Sequence, residues 1–302
     1  MIYDIIIIGM GPAGMSAGIY AKRSGMSVLV FEKSAPGGLI NKTSNVDNYL
    51  GFDDILGPDL AFKMYEHFKD ADIEHKITEV TKVTLDGDIK LVHTEKEVYK
   101  AHTVLIATGR KSKKLPLENA EKLEGKGISY CALCDGKLYQ GKDVAIVGAG
   151  NSAFEEGTYL AKICKNVYIL NRFGINADDI LVEEINTYPN VKLLNQVSIT
   201  KLNETEGHLS SVTLNTGEEI EVDGVFVYIG YEQASESVKE LGITNDFGYI
   251  KVDQFHETSI KGIYAAGDIV QKKIYQIINA ASEGAEAAIN ANKYINSLRV
   301  KK

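Results

Sequence analysis

The chain has 302 residues, which is enough for about two domains of ordinary size. Its 33 Lys and Arg residues stand against 41 Asp and Glu residues, and the net charge of −8 offers no general attraction for nucleic acid or anionic lipid. Only three cysteines and no apolar run long enough for a membrane span argue against a disulfide-stapled secreted protein and a membrane protein. We therefore expect a cytoplasmic protein with no nucleic-acid partner and no membrane partner.

The chain opens with an apolar segment, residues 2–8, that runs directly into a glycine loop. Because this segment is short and has no basic residues before it, we predict a buried strand rather than a signal peptide. A stretch of small residues follows and is predicted to be helical, and a second apolar strand ends at Glu32. The loop residues expected to meet a ligand are Gly9, Gly11, Pro12, Ala13 and Gly14.

A glycine loop between a strand and a helix is typical of a dinucleotide-binding unit. One glycine permits the tight turn, another lets the backbone approach the pyrophosphate, and the third position lets helix and strand pack closely. The pyrophosphate would lie at the helix N-terminus, and Glu32 stands where a carboxylate would accept hydrogen bonds from ribose hydroxyls. The alternatives are an ordinary glycine turn without a ligand and a surface glutamate after a strand.

Two cysteines, Cys131 and Cys134, are separated by two residues and followed by Asp135. This spacing places the sulfurs within bonding reach, as thiol–disulfide exchange requires. The alternatives are a buried pair without a redox role and half of a zinc site, but zinc needs four ligands and the chain has no second pair of Cys or His at similar spacing. The remaining cysteine, Cys164, is expected to lie in the core, and no metal site is predicted.

The strand, loop, helix and strand unit occurs a second time in residues 142–171. Its glycine loop runs from Gly148 through Gly150 to Ala153, and its second strand ends at Asn171. Both copies have the same number of residues from the first glycine to the end of the second strand. We therefore predict an α/β fold with two dinucleotide-binding, Rossmann-like domains. A dithiol beside two such units indicates electron transfer from a flavin to a disulfide.

These motifs, with several others in the same order, make the chain resemble the low-molecular-weight thioredoxin reductase family over nearly its whole length. The further motifs are Gly37-Gly38, the segment from Asn45 through Asn48 to Gly51, the strand end Ala107-Thr108-Gly109, and the segment from Gly262 to Gly267-Asp268. The resemblance implies an FAD-binding domain made of two pieces, residues 1–112 and 246–302. A dithiol-bearing domain of the pyridine-nucleotide type, residues 113–245, is inserted between them.

The resemblance also implies roles for individual residues. Cys134 would receive electrons from the flavin, Cys131 would attack the disulfide of thioredoxin, and Asp135 would act as acid or base for the thiol protons. Asp268 would contact the ribityl or phosphate region of FAD, and the implied assembly is a homodimer. The FAD-binding residues implied in this way are Gly9, Gly11, Pro12, Ala13, Gly14, Glu32, Gly38, Asn48, Ala107, Thr108, Gly109, Gly267, Asp268 and Gln276.

The chain departs from the family pattern at the second nucleotide site. Where NADPH-dependent members have a His-Arg-Arg segment and a further Arg, this chain has Asn171-Arg172-Phe173 and then Asn176. A 2′-phosphate is usually held by several guanidiniums at about 1.5–3 kcal/mol per charge-assisted hydrogen bond, so the use of NADPH is doubtful. Asn171 offers no carboxylate to the ribose of NADH either. Near the last helix, Tyr275 replaces the arginine of an Arg-Gln pair of the family.

This combination is typical of the ferredoxin-dependent flavin thioredoxin reductases, which keep the FAD site and the dithiol without the pyridine-nucleotide determinants. We predict that electrons pass from reduced ferredoxin through FAD to the two cysteines and on to thioredoxin, and that the second glycine loop is a structural relic. Because ferredoxins are generally acidic, a local basic face is expected to dock one. Its candidate residues are Arg110, Lys111, Lys113, Lys114, Lys272 and Lys273.

Three other functions remain open. The first is an NAD(P)H-dependent thioredoxin reductase in which Arg172 and nearby lysines replace the missing arginines. The second is a flavin-dependent redox sensor or binding module, whose dithiol would cycle without multiple turnover. The third is a ferredoxin–NADP reductase of similar fold, which would not need Cys131 and Cys134.

Overall fold

The computed structural model describes residues 1–300, which form two compact units. The first unit comprises residues 1–111 together with the chain from residue 232 onward, and the second comprises residues 112–231. The helices are α1 (Pro12–Arg23), α2 (Gly57–Asp70), α3 (Ala132–Asp135), α4 (Asn151–Ile163), α5 (Asp179–Ile185) and α6 (Ile277–Val300). Short 3-10 helices span Gly38–Lys42, Gly136–Tyr139, Glu236–Leu241 and Gly267–Ile269.

The strands of the first half of the chain are β1 (Ile2–Ile8), β2 (Val28–Glu32), β3 (Asn45–Val46), β4 (Ile55–Leu56), β5 (Glu74–Ile77), β6 (Val80–Asp86), β7 (Ile89–Thr94), β8 (Val98–Ile106), β9 (Arg110–Ser112), β10 (Ile128–Ser129) and β11 (Asp143–Val147). Those of the second half are β12 (Asn166–Asn171), β13 (Val191–Asn195), β14 (Ile199–Thr205), β15 (His208–Leu214), β16 (Glu219–Glu221), β17 (Gly224–Val227), β18 (Tyr231–Gln233) and β19 (Ile263–Ala265). The chain passes between the two units within β9 and β18.

The first unit is built on a sheet with the strand order β5-β2-β1-β8-β7-β6, and β19 also pairs with β8. Strands β5, β2, β1, β8 and β19 are parallel, whereas β7 and β6 are antiparallel additions. Residues 3–8 are buried throughout, since both faces of the sheet are covered. Ile5 and Ile7 face a core that includes α1 and α6, and Ile6 and Ile8 face a second core. The expected buried first strand is therefore confirmed.

Close packing of two helices covers one face of this sheet. A Cβ atom on Gly284 of α6 would lie 2.0 Å from the carbonyl oxygen of Ala13 in α1, so only glycine permits this approach. Ala17, Ala287 and Ala288 are fully buried in the same core. The small residues of α1 thus serve helix packing, which holds the start of α1 in place behind the glycine loop.

The second unit repeats the arrangement with a five-stranded parallel sheet in the order β10-β17-β11-β12-β13. A separate three-stranded antiparallel sheet, β14-β15-β16, belongs to the same unit. The prediction of an α/β fold with two Rossmann-like domains is confirmed. Among residues 1–300, no helix combines the length and the apolar character needed to cross a bilayer.

The second boundary between the units differs from the sequence prediction, which placed the return to the first unit at residue 246. Residues 232–245 belong to the first unit. Val238 and Ile243 are buried in its core, and Lys82 of β6 pairs with Glu240 at 2.7 Å. Because these contacts join residues that are far apart in sequence, the sequence did not display them. The turn-rich segment after residue 243 therefore did not mark the boundary.

Candidate active site

The carboxyl edge of the first sheet collects the loops that follow three neighbouring strands. Gly9 follows β1, the segment 107–109 follows β8, and Gly267-Asp268 follows β19. Because parallel strands end at the same edge of a sheet, these loops lie together where ligands bind in folds of this class. The sheet therefore brings together three segments, each of which the sequence analysis had predicted to bind FAD.

The first glycine loop has no room for larger residues at its ends and open space in its middle. A Cβ on Gly9 would lie 2.3 Å from the Ala107 carbonyl oxygen, and one on Gly14 would lie 1.8 Å from the Gly9 oxygen. A Cβ on Gly11 would meet no atom within 4 Å. Pro12 begins α1 directly after Gly11, so the free N–H groups of the helix start border this space. The cradle fits a dinucleotide, whose pyrophosphate is favoured at such a helix N-terminus.

Glu32 lies at the end of β2 and is 9% exposed. Its Oε2 accepts a hydrogen bond from the backbone N–H of Met10 at 2.8 Å, and its Oε1 accepts one from the backbone N–H of Ser34 at 2.9 Å. These bonds hold the carboxylate against the glycine loop. Each carboxylate oxygen has a further lone pair, so Glu32 can still accept hydrogen bonds from ribose hydroxyls.

Four further predicted cofactor residues come from distant segments. Gly38 begins a 3-10 helix, and a Cβ placed on it would lie 3.6 Å from the Cα atom of Gly11. Asn48 donates a side-chain hydrogen bond to the Oε1 atom of Gln276 at 3.3 Å, immediately before α6. Thr108 donates its hydroxyl hydrogen to the carbonyl oxygen of Ala234 at 2.6 Å. Gly38 therefore borders the glycine loop, and Asn48 and Gln276 form one pair.

Asp268 forms an ion pair that sequence reasoning missed. Arg110 donates from Nε at 3.1 Å and from Nη2 at 2.7 Å, and both bonds end on Asp268 Oδ2. The guanidinium carbon also lies 4.1 Å from the centre of the Tyr275 ring. Next to Asp268, the backbone N–H of Gly267 donates to Glu283 Oε2 at 2.8 Å. No spacing rule links residues so distant in sequence, so only the fold places them together.

The dithiol lies in the second unit, at the start of α3. Cys131 and Cys134 are joined in a disulfide with a Cα–Cα distance of 5.3 Å. Cys131 is buried at 6% exposure, whereas Cys134 is exposed. The backbone N–H of Cys134 donates to Cys131 Sγ at 3.2 Å, which favours negative charge on that sulfur when the disulfide is reduced.

Two residues without a sequence signal hold the dithiol segment. Ser129 Oγ donates to Asp135 Oδ2 at 2.7 Å and accepts from the backbone N–H of Cys131 at 3.1 Å. The Tyr228 hydroxyl oxygen accepts from the backbone N–H of Ala132 at 2.9 Å, and burial raises the pKa of Tyr228 well above its usual range. Ser129 thus links the predicted acid–base group to the peptide of one reactive cysteine.

Cys164 lies at the end of α4 and is not part of the disulfide. It is a free thiol, buried as the sequence analysis predicted, and burial raises its pKa to about 11. The thiol is therefore protonated at neutral pH, which makes it a poor nucleophile.

A cavity of about 880 Å³ lies over the second glycine loop, entirely within the second unit. A Cβ on Gly148 would lie 2.2 Å from the Tyr228 carbonyl oxygen, the same close packing as at Gly9. The middle glycine differs, since the nearest atom to a Cβ on Gly150 is the carbonyl oxygen of Asn176 at 4.0 Å. The backbone N–H of Asn176 donates to Ala149 O at 2.8 Å, so the segment after β12 lies against this loop.

Two asparagines that line this cavity, Asn171 and Asn151, are hydrogen-bonded within the protein. Asn171 is 3% exposed, donates to Asn195 Oδ1 at 2.9 Å and accepts from the backbone N–H of Gly174 at 2.8 Å. At the start of α4, Asn151 donates to Asp178 Oδ2 at 2.8 Å. A carboxylate therefore stands beside the helix N-terminus, where a phosphate would otherwise be favoured.

Arg172 and Phe173 form the exposed side of the cavity. The Arg172 guanidinium carbon lies 4.6 Å from the centre of the Phe173 ring, and the Phe173 side chain is 87% exposed. No acidic partner of Arg172 lies within residues 1–300 at ion-pair distance. One guanidinium thus remains available at this site.

A family model described as pyridine nucleotide-disulphide oxidoreductase matches residues 3–284 of the chain. The thioredoxin reductase of Bacillus subtilis is 41% identical over 304 residues, covering 99% of this chain and 96% of that protein. A crystal structure of Lactococcus lactis thioredoxin reductase has a TM-score of 0.91 and 35% identity, covering 98% of this chain and 99% of that chain. A ferredoxin-flavin thioredoxin reductase from Clostridium acetobutylicum has a TM-score of 0.57 and 31% identity, covering 99% of both chains.

Proposed function

The chain belongs to the pyridine nucleotide-disulphide oxidoreductase family, and we propose that it is a flavin-dependent thioredoxin reductase that takes its electrons from reduced ferredoxin. The observation that carries the choice of electron donor is the use of Asn171 within the protein. Its amide bonds to Asn195 and Gly174 at the position where a nucleotide ribose would need a partner. Proteins named thioredoxin reductase and a ferredoxin-flavin thioredoxin reductase both share the fold, so the proposal rests on the local chemistry of the second glycine loop.

The first unit offers the groups that would hold FAD. The space at Gly11 and the start of α1 would take the pyrophosphate, Glu32 the ribose hydroxyls, and Asp268 the ribityl or phosphate region. Bound there, FAD would supply the exchange between single electrons from an iron–sulfur donor and the electron pair that a disulfide needs. The other residues proposed to contact it are Gly9, Pro12, Ala13, Gly14, Gly38, Asn48, Ala107, Thr108, Gly109, Gly267 and Gln276.

Reduction of the Cys131–Cys134 disulfide to two thiols takes two electrons and two protons. In the proposed cycle, Cys134 accepts the electrons and the Cys131 thiolate then attacks a sulfur of the thioredoxin disulfide. Cys134 resolves the mixed disulfide by attacking Cys131 Sγ, which restores the intramolecular bond and releases thioredoxin with two thiols. Asp135, oriented by Ser129, takes and returns the thiol protons. Because Cys131 is buried, attack on a protein disulfide requires the segment to open.

The charges around the second glycine loop disfavour NADPH. Asp178 places a carboxylate next to the start of α4, and of the three arginine positions in the family pattern this chain keeps Arg172 alone. Loss of two guanidinium partners would weaken binding by roughly 3–6 kcal/mol at about 1.5–3 kcal/mol for each. The loop would then serve to pack α4 against its sheet, as Gly148 already does.

An NAD(P)H-dependent thioredoxin reductase is the second candidate, and the cavity of about 880 Å³ favours it. That volume lies within the usual range of small-molecule sites, about 300–1,000 Å³. In this alternative, Arg172 with its neighbouring Phe173 ring would hold the adenosine end of the nucleotide.

Docking of ferredoxin would depend on fewer basic residues than the sequence analysis expected. Lys111 pairs with Glu232 and Glu236, and Lys114 with Glu124. Two more of the six candidates are engaged, since Arg110 pairs with Asp268 and Lys272 with Glu283. The two candidates that remain exposed and have no ion pair within residues 1–300 are Lys113 and Lys273.

Multiple turnover tests the proposed reaction directly. With catalytic protein, reduced ferredoxin and excess oxidised thioredoxin, we expect continuous thioredoxin reduction that stops in Cys131→Ser and in Cys134→Ser. Both variants should still accept electrons from ferredoxin, because the flavin site lies in the other unit. A single stoichiometric exchange would indicate a redox sensor, and unchanged activity of the serine variants toward pyridine nucleotide would indicate a ferredoxin–NADP reductase.

Size-exclusion chromatography with light scattering tests the homodimer that we also propose, and cell fractionation tests the cytoplasmic location.

A further inference from the structure

We propose that Arg110 is a positioning residue for the flavin, which acts by holding the Asp268 carboxylate with one oxygen free for the cofactor. This inference rests on the proposed FAD site. Arg110 begins β9, shortly after β8 ends at Ile106, and Asp268 follows β19. Strands β8 and β19 are parallel neighbours in the first sheet. The pair therefore lies at the same sheet edge as the glycine loop.

The geometry of the pair is one-sided. Both guanidinium hydrogen bonds from Arg110 end on Asp268 Oδ2, and Oδ1 accepts none from residues 1–300. The two side chains are only 19% and 21% exposed, so the pair is shielded from much of the competing water. Because a shielded carboxylate without a partner is costly, Arg110 compensates the Asp268 carboxylate and orients it, while leaving Oδ1 available to accept a hydrogen bond.

Tyr275 fixes the guanidinium from the other side. Its ring centre lies 4.1 Å from the Arg110 guanidinium carbon, which is stacking distance for an arginine on an aromatic face. Tyr249 flanks the same ring at a centroid distance of 6.4 Å, and the backbone N–H of Lys272 donates to the Tyr275 hydroxyl oxygen at 3.4 Å. Tyr275, which stands where the family has an arginine, thus supports Arg110, which reaches the site from the start of β9.

The next residue along the chain connects this cluster to the other predicted cofactor contacts. Gln276 follows Tyr275 and accepts the hydrogen bond from Asn48. A displaced Tyr275 would therefore disturb two proposed flavin contacts, Asp268 through Arg110 and Gln276 through the chain. Arg110 itself need not touch the cofactor for this effect.

Arg110→Gln tests the proposal in the whole protein, with two readouts other than turnover. The affinity of the apoprotein for FAD, measured by flavin fluorescence as FAD is added back, should fall about tenfold. This is the effect expected from the loss of one charge-assisted hydrogen bond. The midpoint potential measured by dye equilibration should fall, because an uncompensated Asp268 charge disfavours the electron-rich reduced flavin. A tenfold loss of preference for the reduced form corresponds to about 30 mV for a two-electron couple.

Four further variants separate positioning from structural support. Arg110→Gln combined with Asp268→Asn should recover the potential, since no uncompensated carboxylate remains. Tyr275→Phe should match the unmodified protein, and Tyr275→Leu should show part of the Arg110→Gln effect. Arg299→Gln is the matched control, because Arg299 forms a similar pair with Asp4 at 2.9 Å in the same unit, away from the glycine loop.

The outcomes distinguish this inference from the proposed function. If the protein binds FAD and Arg110→Gln leaves both affinity and potential as in Arg299→Gln, the positioning role is wrong. If both arginine variants lower the melting temperature of the apoprotein equally and shift no flavin property, the pair is structural only, which also overturns the inference. If the unmodified protein binds no FAD, the proposed function itself fails.

Discussion

The two glycine loops are built alike and differ in the polar groups that lie beside them. Gly9 and Gly148 pack against carbonyl oxygens in the same way, at 2.3 and 2.2 Å from a Cβ. A Cβ on Gly11 would meet no atom within 4 Å, and one on Gly150 would meet only the Asn176 carbonyl oxygen, at 4.0 Å. The clearer difference is the Asp178 carboxylate, which stands at the start of the helix after the second loop. We infer that the second copy of this supersecondary unit is kept for packing, and that the polar groups beside the two loops distinguish their uses.

Glu32 and Asn171, which end the second strand of each glycine-loop unit, also differ in how their polar groups are used. Glu32 is held against its loop by backbone N–H groups and keeps acceptor capacity for a ribose. Asn171 has one amide atom bonded to Asn195 and the other to Gly174. The Glu32 carboxylate thus keeps lone pairs that a ligand could use, whereas the Asn171 amide is used to hold its own chain.

The largest expected effect comes from a matched pair of substitutions, Gly11→Ala and Gly150→Ala. Both glycines have negative φ angles, −75° and −96°, so alanine strains neither backbone. We expect Gly11→Ala to weaken FAD binding by about tenfold or more, because the methyl group enters the open cradle. Gly150→Ala should leave ferredoxin-dependent turnover unchanged, and fluorescence titration with FAD measures the first effect.

The apoprotein serves as the control for this pair. Replacing glycine by alanine at a compatible conformation stabilises a chain by about 0.4–1 kcal/mol, so neither variant should unfold more easily. Equal loss of activity in both variants would contradict the distinction between the two loops.

The second glycine site can be rebuilt to sharpen the comparison. Phe173→Arg and Asn176→Arg together with Asp178→Ser should lower the dissociation constant of NADPH by roughly 10- to 100-fold, because two guanidiniums are added and a carboxylate is removed. Calorimetric titration measures the change. NADH is the control ligand, since it lacks the 2′-phosphate and should gain far less; an equal gain for both would place the effect elsewhere.

A further matched pair compares the strand ends, Glu32→Leu with Asn171→Leu. Asn171→Leu should lower the free energy of unfolding by about 1–3 kcal/mol, since the Gly174 N–H and the Asn195 amide lose their partners. Its ferredoxin-dependent activity should persist, whereas Glu32→Leu should lose FAD. Urea unfolding and flavin content provide the two measurements, and a loss of flavin in Asn171→Leu would refute the assignment.

The smallest expected effect concerns Cys164 at the end of the second glycine-loop helix. Burial raises its pKa to about 11 from an ordinary value of 9.0, so the unfolded thiol ionises first as the pH rises. The stability it contributes is present below pH 9.0 and is lost as the pH approaches about 11. The difference in unfolding free energy between the unmodified protein and Cys164→Ala should therefore narrow over this range. A difference independent of pH would show that the thiol does not titrate there.

Local motifs predicted much of the fold and part of the site. The two glycine loops, the strand ends at Glu32 and Asn171 and the CxxC pair are each defined by short spacings, which a sequence displays directly. The parallel sheets followed, because apolar runs around a glycine loop and a helix form the βαβ unit.

The contacts that sequence reasoning missed are long-range. Arg110 was interpreted as part of a docking face, but β8 and β19 are neighbours and place it against Asp268. Ser129 belongs to no motif, and its bond to Asp135 depends on the turn into α3. The return of the chain at residue 232 likewise depends on burial of Val238 in a core that residues from both ends of the sequence form.

Anaerobic reduction of the flavin tests the central claim most directly. The purified protein receives excess NADPH, then NADH, then photoreduced ferredoxin, while the flavin absorbance band is followed. We predict that only ferredoxin bleaches the band rapidly and that thioredoxin reduction then follows. Rapid bleaching by NADPH would contradict the claim that the second glycine loop no longer serves a nucleotide, and would make Arg172 the first residue to replace.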